Sequence, residues 1–145
     1  MAHKIFTFDK LQVFFKHTDY YGFVHPYNYL EWSSYAREAF FQESLADFRK
    51  IISRPVKMMT VKIRMKVLKD LMFGDTICAC LTVGKIKKVS FEINVDFICG
   101  STEERVCRTS HSVVFLDLKK GSFAPIPIEM DKIIVQYQKG ESGDF

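Results

Sequence analysis

The feature that most constrains this chain is a change of period. Over residues 28–50, apolar residues recur every three or four positions, with Tyr29, Trp32, Ala36, Ala39, Phe40 and Phe41 on one stripe. That spacing predicts an amphipathic helix. Beyond Pro55 the period falls to two. Met59, Val61, Ile63, Met65 and Val67 alternate with Thr60, Lys62, Arg64 and Lys66. Ile77, Ala79, Leu81 and Val83 alternate with Cys78, Cys80 and Thr82, and Phe91, Ile93, Val95 and Phe97 with Glu92, Asn94 and Asp96. A last long strand is expected over 106–118. Turns fall at Phe73-Gly74-Asp75, 84–88 and 100–104.

One long helix followed by consecutive strands leaves few solutions. Turns this short join antiparallel neighbours, because a parallel pair needs a crossover of a dozen or more residues. The helix must bury its aromatic stripe on one face of the sheet. Residues 10–16, with Leu11, Val13 and Phe15 alternating with Gln12 and Phe14, supply a first strand. The expected class is α+β, one long central helix wrapped by a curved antiparallel sheet of about five strands. Asn28 suits the helix N-cap, and Glu31 would complete a capping box. Arg49 and Lys50 suit the helix C-terminus. Residues 129–138 form a short helix or an irregular edge. The 145 residues fit one domain over 1–138, with a loose tail over 139–145. One sheet around one helix leaves edges bare, so a homodimer or homotetramer is expected.

Composition narrows the function. The net charge of +4 is spread along the strands rather than clustered, which argues against nucleic acid and favours acidic or phosphorylated partners. No apolar run approaches the length of a membrane span, and the N-terminus lacks the pattern of a signal peptide, so a cytoplasmic protein is expected. Cys78, Cys80, Cys99 and Cys107 form no CxxC pair, so neither a disulfide nor a zinc site is expected. No metal or organic cofactor is implied.

The chemistry concentrates in KHTDYYGFVHPYNYLEW, residues 16–32. Asp19 and His25 stand either side of Gly22, just before the helix. On spacing alone Asp19 is a turn-capping aspartate. His25 is either a ligand to turn backbone or a group that contacts substrate or orients water. His17 would place a cation beside Asp19.

Taken together, His17-Thr18-Asp19, Gly22, Val24, Asn28-Tyr29-Leu30-Glu31-Trp32 and Ala36-Arg37 resemble the hotdog-fold thioesterases, in particular the 4-hydroxybenzoyl-CoA thioesterase branch. A weaker likeness, through the helix start and Met58-Met59-Thr60, is to the thioesterases of enediyne polyketide pathways. The resemblance implies the hotdog fold and hydrolysis of an acyl-CoA or an acyl carrier protein thioester. It implies Asp19 as nucleophile or general base, with coenzyme A or phosphopantetheine entering only as part of the substrate. In the family the carbonyl-polarising amide comes seven residues after the Asp, which here is Pro26, without an N–H. Tyr27 or Asn28 is the donor expected in its place. Relatives that carry a carboxylate on the helix have it where Ser33-Ser34-Tyr35 stand here, which leaves Asp19 as the candidate acid. Gly22, Tyr35, Met59, Thr60 and, on the basic turn of Lys85, Lys87 and Lys88, Lys87 are the candidate substrate contacts. Arg37 is expected as a structural or interface ion-pair partner and His111 as a core residue. Two other outcomes stay open: a non-catalytic module that binds an acyl chain or carrier protein, and a hydratase using His25.

Overall fold

The computed structural model describes residues 3–139. In chain order it runs β1 (Phe6–Gln12), α1 (Asn28–Ser44), α2 (Phe48–Ile52), β2 (Val56–Val67), β3 (Thr76–Ile86), β4 (Ser90–Cys99), β5 (Arg105–Asp117), β6 (Ser122–Phe123) and α3 (Ile128–Ile134). The strands form one antiparallel sheet ordered β1-β3-β4-β5-β2, with β6 pairing to the end of β5. Short 3-10 turns lie at Phe15–His17 and Val135–Tyr137.

The helix sits on the sheet as its stripe requires. Tyr29, Trp32, Ala36, Phe40 and Phe41 are buried, and they meet Ile77, Ala79, Leu81, Ile93, Val95 and Phe97 from the strands. Tyr29 packs on Phe97 with ring centres 5.2 Å apart, and Ser33 Oγ lies 2.6 Å from Thr109 Oγ1 on β5. Large aromatic burial of this kind supplies most of the favourable folding energy.

Four local expectations change. The first strand begins and ends four residues early, at Phe6 and Gln12. Phe6 and Phe8 also alternate, whereas Phe15 is 72% exposed and belongs to a turn. The helix stops at Ser44, and Asp47 starts a separate short helix by accepting the Lys50 N–H. Asn28 is not the N-cap. Its side-chain amide donates to His17 O (2.7 Å) and His25 O (3.0 Å), so it ties the loop to the helix instead of capping it. Glu31 completes no capping box, because its carboxylate accepts from Tyr35 Oη at 2.6 Å.

The fourth change bears on the site. The β2 register shifts between Thr60 and Lys62. Residues opposite one another in an antiparallel ladder share a face. Thr60 faces Val113, and Ile63, Met65 and Val67 face His111, Thr109 and Cys107. The bulge therefore puts Thr60, Ile63, Met65 and Val67 all on the helix side, and Met59 on the other. The uninterrupted alternation expected from Met59 to Val67 would have kept all five apolar residues together.

Lys139, expected in the tail, donates its N–H to Val83 O, and the remainder of that tail lies outside the described residues. All four cysteines are free thiols. No helix among the described residues is long and apolar enough to cross a membrane.

Candidate active site

Asp19 lies in a small hairpin. Thr18 pairs with Val24, Asp19 N–H donates to Phe23 O at 2.7 Å, and Gly22 closes the turn at φ +85°, a conformation that favours glycine. A second chain segment pins this hairpin: Phe23 pairs with Met72, Val24 N–H donates to Leu71 O, and Phe73 N–H donates to Gly22 O. The Asp19 carboxylate is half-buried and oriented through one oxygen. Oδ1 accepts the N–H groups of Tyr21 (2.9 Å) and Phe23 (3.1 Å). Oδ2 has no hydrogen bond to any described residue. Turn capping therefore occupies one oxygen and leaves the other unshared.

The start of α1 lies beside this hairpin. His25 N–H donates to His17 O, and Asn28 N–H donates to His25 O. Of the two expected amide donors, Asn28 is thus engaged within the loop, and Tyr27 N–H meets no acceptor among the described residues. His25 is exposed, its ring 4.6 Å from that of Tyr27.

His17 supplies no cation to Asp19. Its Nδ1 accepts the Phe14 N–H at 3.0 Å, and its ring meets Trp32 edge-on at 5.0 Å. Burial, with Lys16 adding to it, pushes its pKa down, so the ring is held neutral.

The other expected contacts scatter. Tyr35 lies on the β1 flank of α1, in a groove of about 210 Å3 that also touches Lys10, Phe14, Lys16 and Glu31. Met59 faces away from the helix. Lys87 sits on the β3–β4 turn, at the end of β3 remote from Thr76, roughly 30 Å of strand away. Thr60 accepts from Arg37 Nη1 at 2.8 Å.

That last contact opens a cluster that sequence reasoning missed. Arg37 is half-buried, and its pKa is lowered by burial. It makes no salt bridge among the described residues, so the expected ion pair does not form within one chain. Its Nη1 also lies 3.3 Å from His111 Nδ1. Arginine can only donate, so Nδ1 accepts and Nε2 carries the His111 proton. That Nε2 is buried without a partner, and burial, then the neighbouring Arg37, pushes the His111 pKa down to about 4. The sequence signal was faint. Arg37 falls at helical spacing from Leu30 and Ser34, on a flank that turns towards β2.

A curved antiparallel sheet holding one helix, with a carboxylate hairpin at the helix N-terminus, is the hotdog architecture. The chain belongs to the thioesterase-like superfamily, whose family model matches residues 13–134. No curated protein matches the sequence significantly. Among solved structures, a 1,4-dihydroxy-2-naphthoyl-CoA thioesterase from Synechocystis is similar at 20% identity and TM-score 0.81, over 91% of this chain and 96% of that one. A Staphylococcus aureus protein solved in complex with CoA aligns at 14% identity and TM-score 0.84, over 98% and 90%. The dynemicin thioesterase aligns at 14% identity and TM-score 0.83, over 94% and 99%. At these identities the likeness establishes the fold.

Proposed function

We propose that this protein is an acyl thioester hydrolase acting on acyl-CoA or an acyl carrier protein, with Asp19 as its reactive carboxylate. The observation that carries this reading is the unshared Asp19 Oδ2, held by a pinned hairpin beside a helix N-terminus with a free Tyr27 N–H. Membership of the thioesterase-like superfamily supports it, as does the CoA-bound relative.

The chemistry follows from these groups. Oδ2 attacks the thioester carbonyl, and negative charge develops on the carbonyl oxygen. The Tyr27 N–H and the positive end of the α1 dipole stabilise that oxyanion. Collapse expels the thiolate, which takes up a proton, and water hydrolyses the acyl-aspartyl anhydride. Alternatively Oδ2 takes a proton from a water that attacks directly. His25, exposed at the mouth, orients the water in either route. Tyr27 replaces the donor that Pro26 removes.

We further infer a homodimer formed through β2. This strand is an edge, so one side of its backbone is unpaired, and Ile63, Met65 and Val67 are 49%, 36% and 43% exposed. A long apolar edge is stable in water only when covered.

A second reading, a module that binds acyl thioesters without turnover, draws on the missing Pro26 N–H and the engaged Asn28 N–H. Release of free thiol from a panel of acyl-CoAs separates the two. Turnover is the expected result. Saturable binding without thiol release, from CoA and carrier-protein substrates alike, establishes the module.

A further inference from the structure

We propose that Arg37, with Thr60 and His111, recognises a carboxylate at the far end of the acyl group, which makes medium-length ω-carboxyacyl thioesters the preferred substrates. The inference rests on the acyl-thioester reading above.

The cluster offers donors and lacks an acceptor of charge. Arg37 spends Nη1 on Thr60 and His111 and meets no carboxylate among the described residues. His111 is 3% exposed, and its Nε2–H has no partner. A half-buried guanidinium whose remaining N–H groups meet no acid among the described residues matches the two oxygens of a carboxylate, and His111 holds it in place through Nδ1.

An apolar track leads to it from the reactive end. Tyr29, in the first turn of α1, packs on Phe97, whose β5 neighbour Cys107 faces Val67. One turn on, Ser33 meets Thr109, which faces Met65. One turn further, Arg37 meets His111, which faces Ile63. Val67, Met65 and Ile63 therefore run beside α1 from its N-terminus to Arg37. Leu30, Ser34 and Arg37 share the facing flank of the helix. From Asn28 to Arg37 the helix rises about 13 Å. Carbon–carbon bonds of ~1.5 Å in a zigzag cover that distance in roughly ten bonds.

A second copy does not supply the missing acid by edge pairing. Val56–Val67 carries Lys57, Lys62, Arg64 and Lys66 and no Asp or Glu. Glu38, next to Arg37 in sequence, lines the groove at the α1–α2 junction instead. A carboxylated substrate supplies that charge.

The test is binding of non-hydrolysable thioether analogues of decanedioyl-CoA and decanoyl-CoA to the full-length protein, which needs no turnover. The expected result is a preference for the carboxylated analogue of about tenfold or more, abolished in Arg37→Met. Thr60→Val, which removes only the acceptor that orients the guanidinium, should shrink the preference several-fold and covers the case where Arg37→Met does not fold. Equal binding of the two analogues by wild type, or a preference that survives Arg37→Met, overturns the inference. Indifference to the carboxylate combined with loss of the dimer in Arg37→Met also overturns it, and assigns the guanidinium to assembly. Asp19-dependent hydrolysis of decanoyl-CoA without any discrimination sinks this inference alone, whereas no binding and no turnover of any acyl thioester sinks both readings.

Discussion

Asp19 caps its turn through Oδ1 and leaves Oδ2 unshared, whereas the sequence offered capping and reactivity as alternatives. The turn at Gly22 was legible, because a glycine three residues after an acid is a turn signal, but the hairpin pairing of Thr18 with Val24 was not. Which oxygen the turn would occupy was not, since that depends on the Tyr21 and Phe23 amides folding back. His111 was read as ordinary core, because nothing local marks a histidine that will share a hydrogen bond with a helix arginine 74 residues away. Its environment makes a testable prediction. Its folded pKa of about 4 lies below the ordinary histidine value of 6.5, so the unfolded chain binds the proton first as pH falls. The stability it protects is fully present above about pH 6.5 and is lost as pH drops towards 4, by about 3 kcal/mol. Urea unfolding of wild type and His111→Asn between those limits should show the wild type losing more, by that amount. Parallel slopes contradict it.

At the scale of elements, periodicity carried most of the fold. The helix stripe and the strands of β3, β4 and β5 were legible because each buries one face and exposes the other. The misses came from competing local chemistry. The helix break needed Asp47 to be recognised as a cap, although the aromatic and apolar pattern continues through Phe48 and Ile51. Replacing Asp47 with Ala should cost about 1 kcal/mol in thermal or chemical unfolding. An unchanged midpoint means that Ser44 and Leu45, rather than the cap, end α1. The bulge in β2 had no signal at all, since a strand alternates identically before and after an inserted residue. Its consequence is large, because it turns Ile63, Met65 and Val67 towards the helix side and creates the track beside α1.

For the whole molecule, the bare β2 edge connects fold to function. The sequence predicted an exposed edge, and the structure locates it beside the proposed acyl track, so a second copy paired there would both cover the edge and close the groove. Sedimentation should give a species of twice the 16.9 kDa chain mass, and Ile63→Glu should shift it to the monomer while the chain stays folded. A wild-type monomer at micromolar concentration removes the dimer from the account. The central claim remains that Asp19 Oδ2 cleaves the thioester. The most direct measurement is kcat/KM for the best acyl-CoA with wild type and Asp19→Asn, which keeps an oxygen for the Tyr21 and Phe23 amides and removes the carboxylate. A loss of about 100-fold or more, carried by kcat with KM little changed, is the predicted result. Equal turnover by the two proteins contradicts it and moves the chemistry away from Asp19.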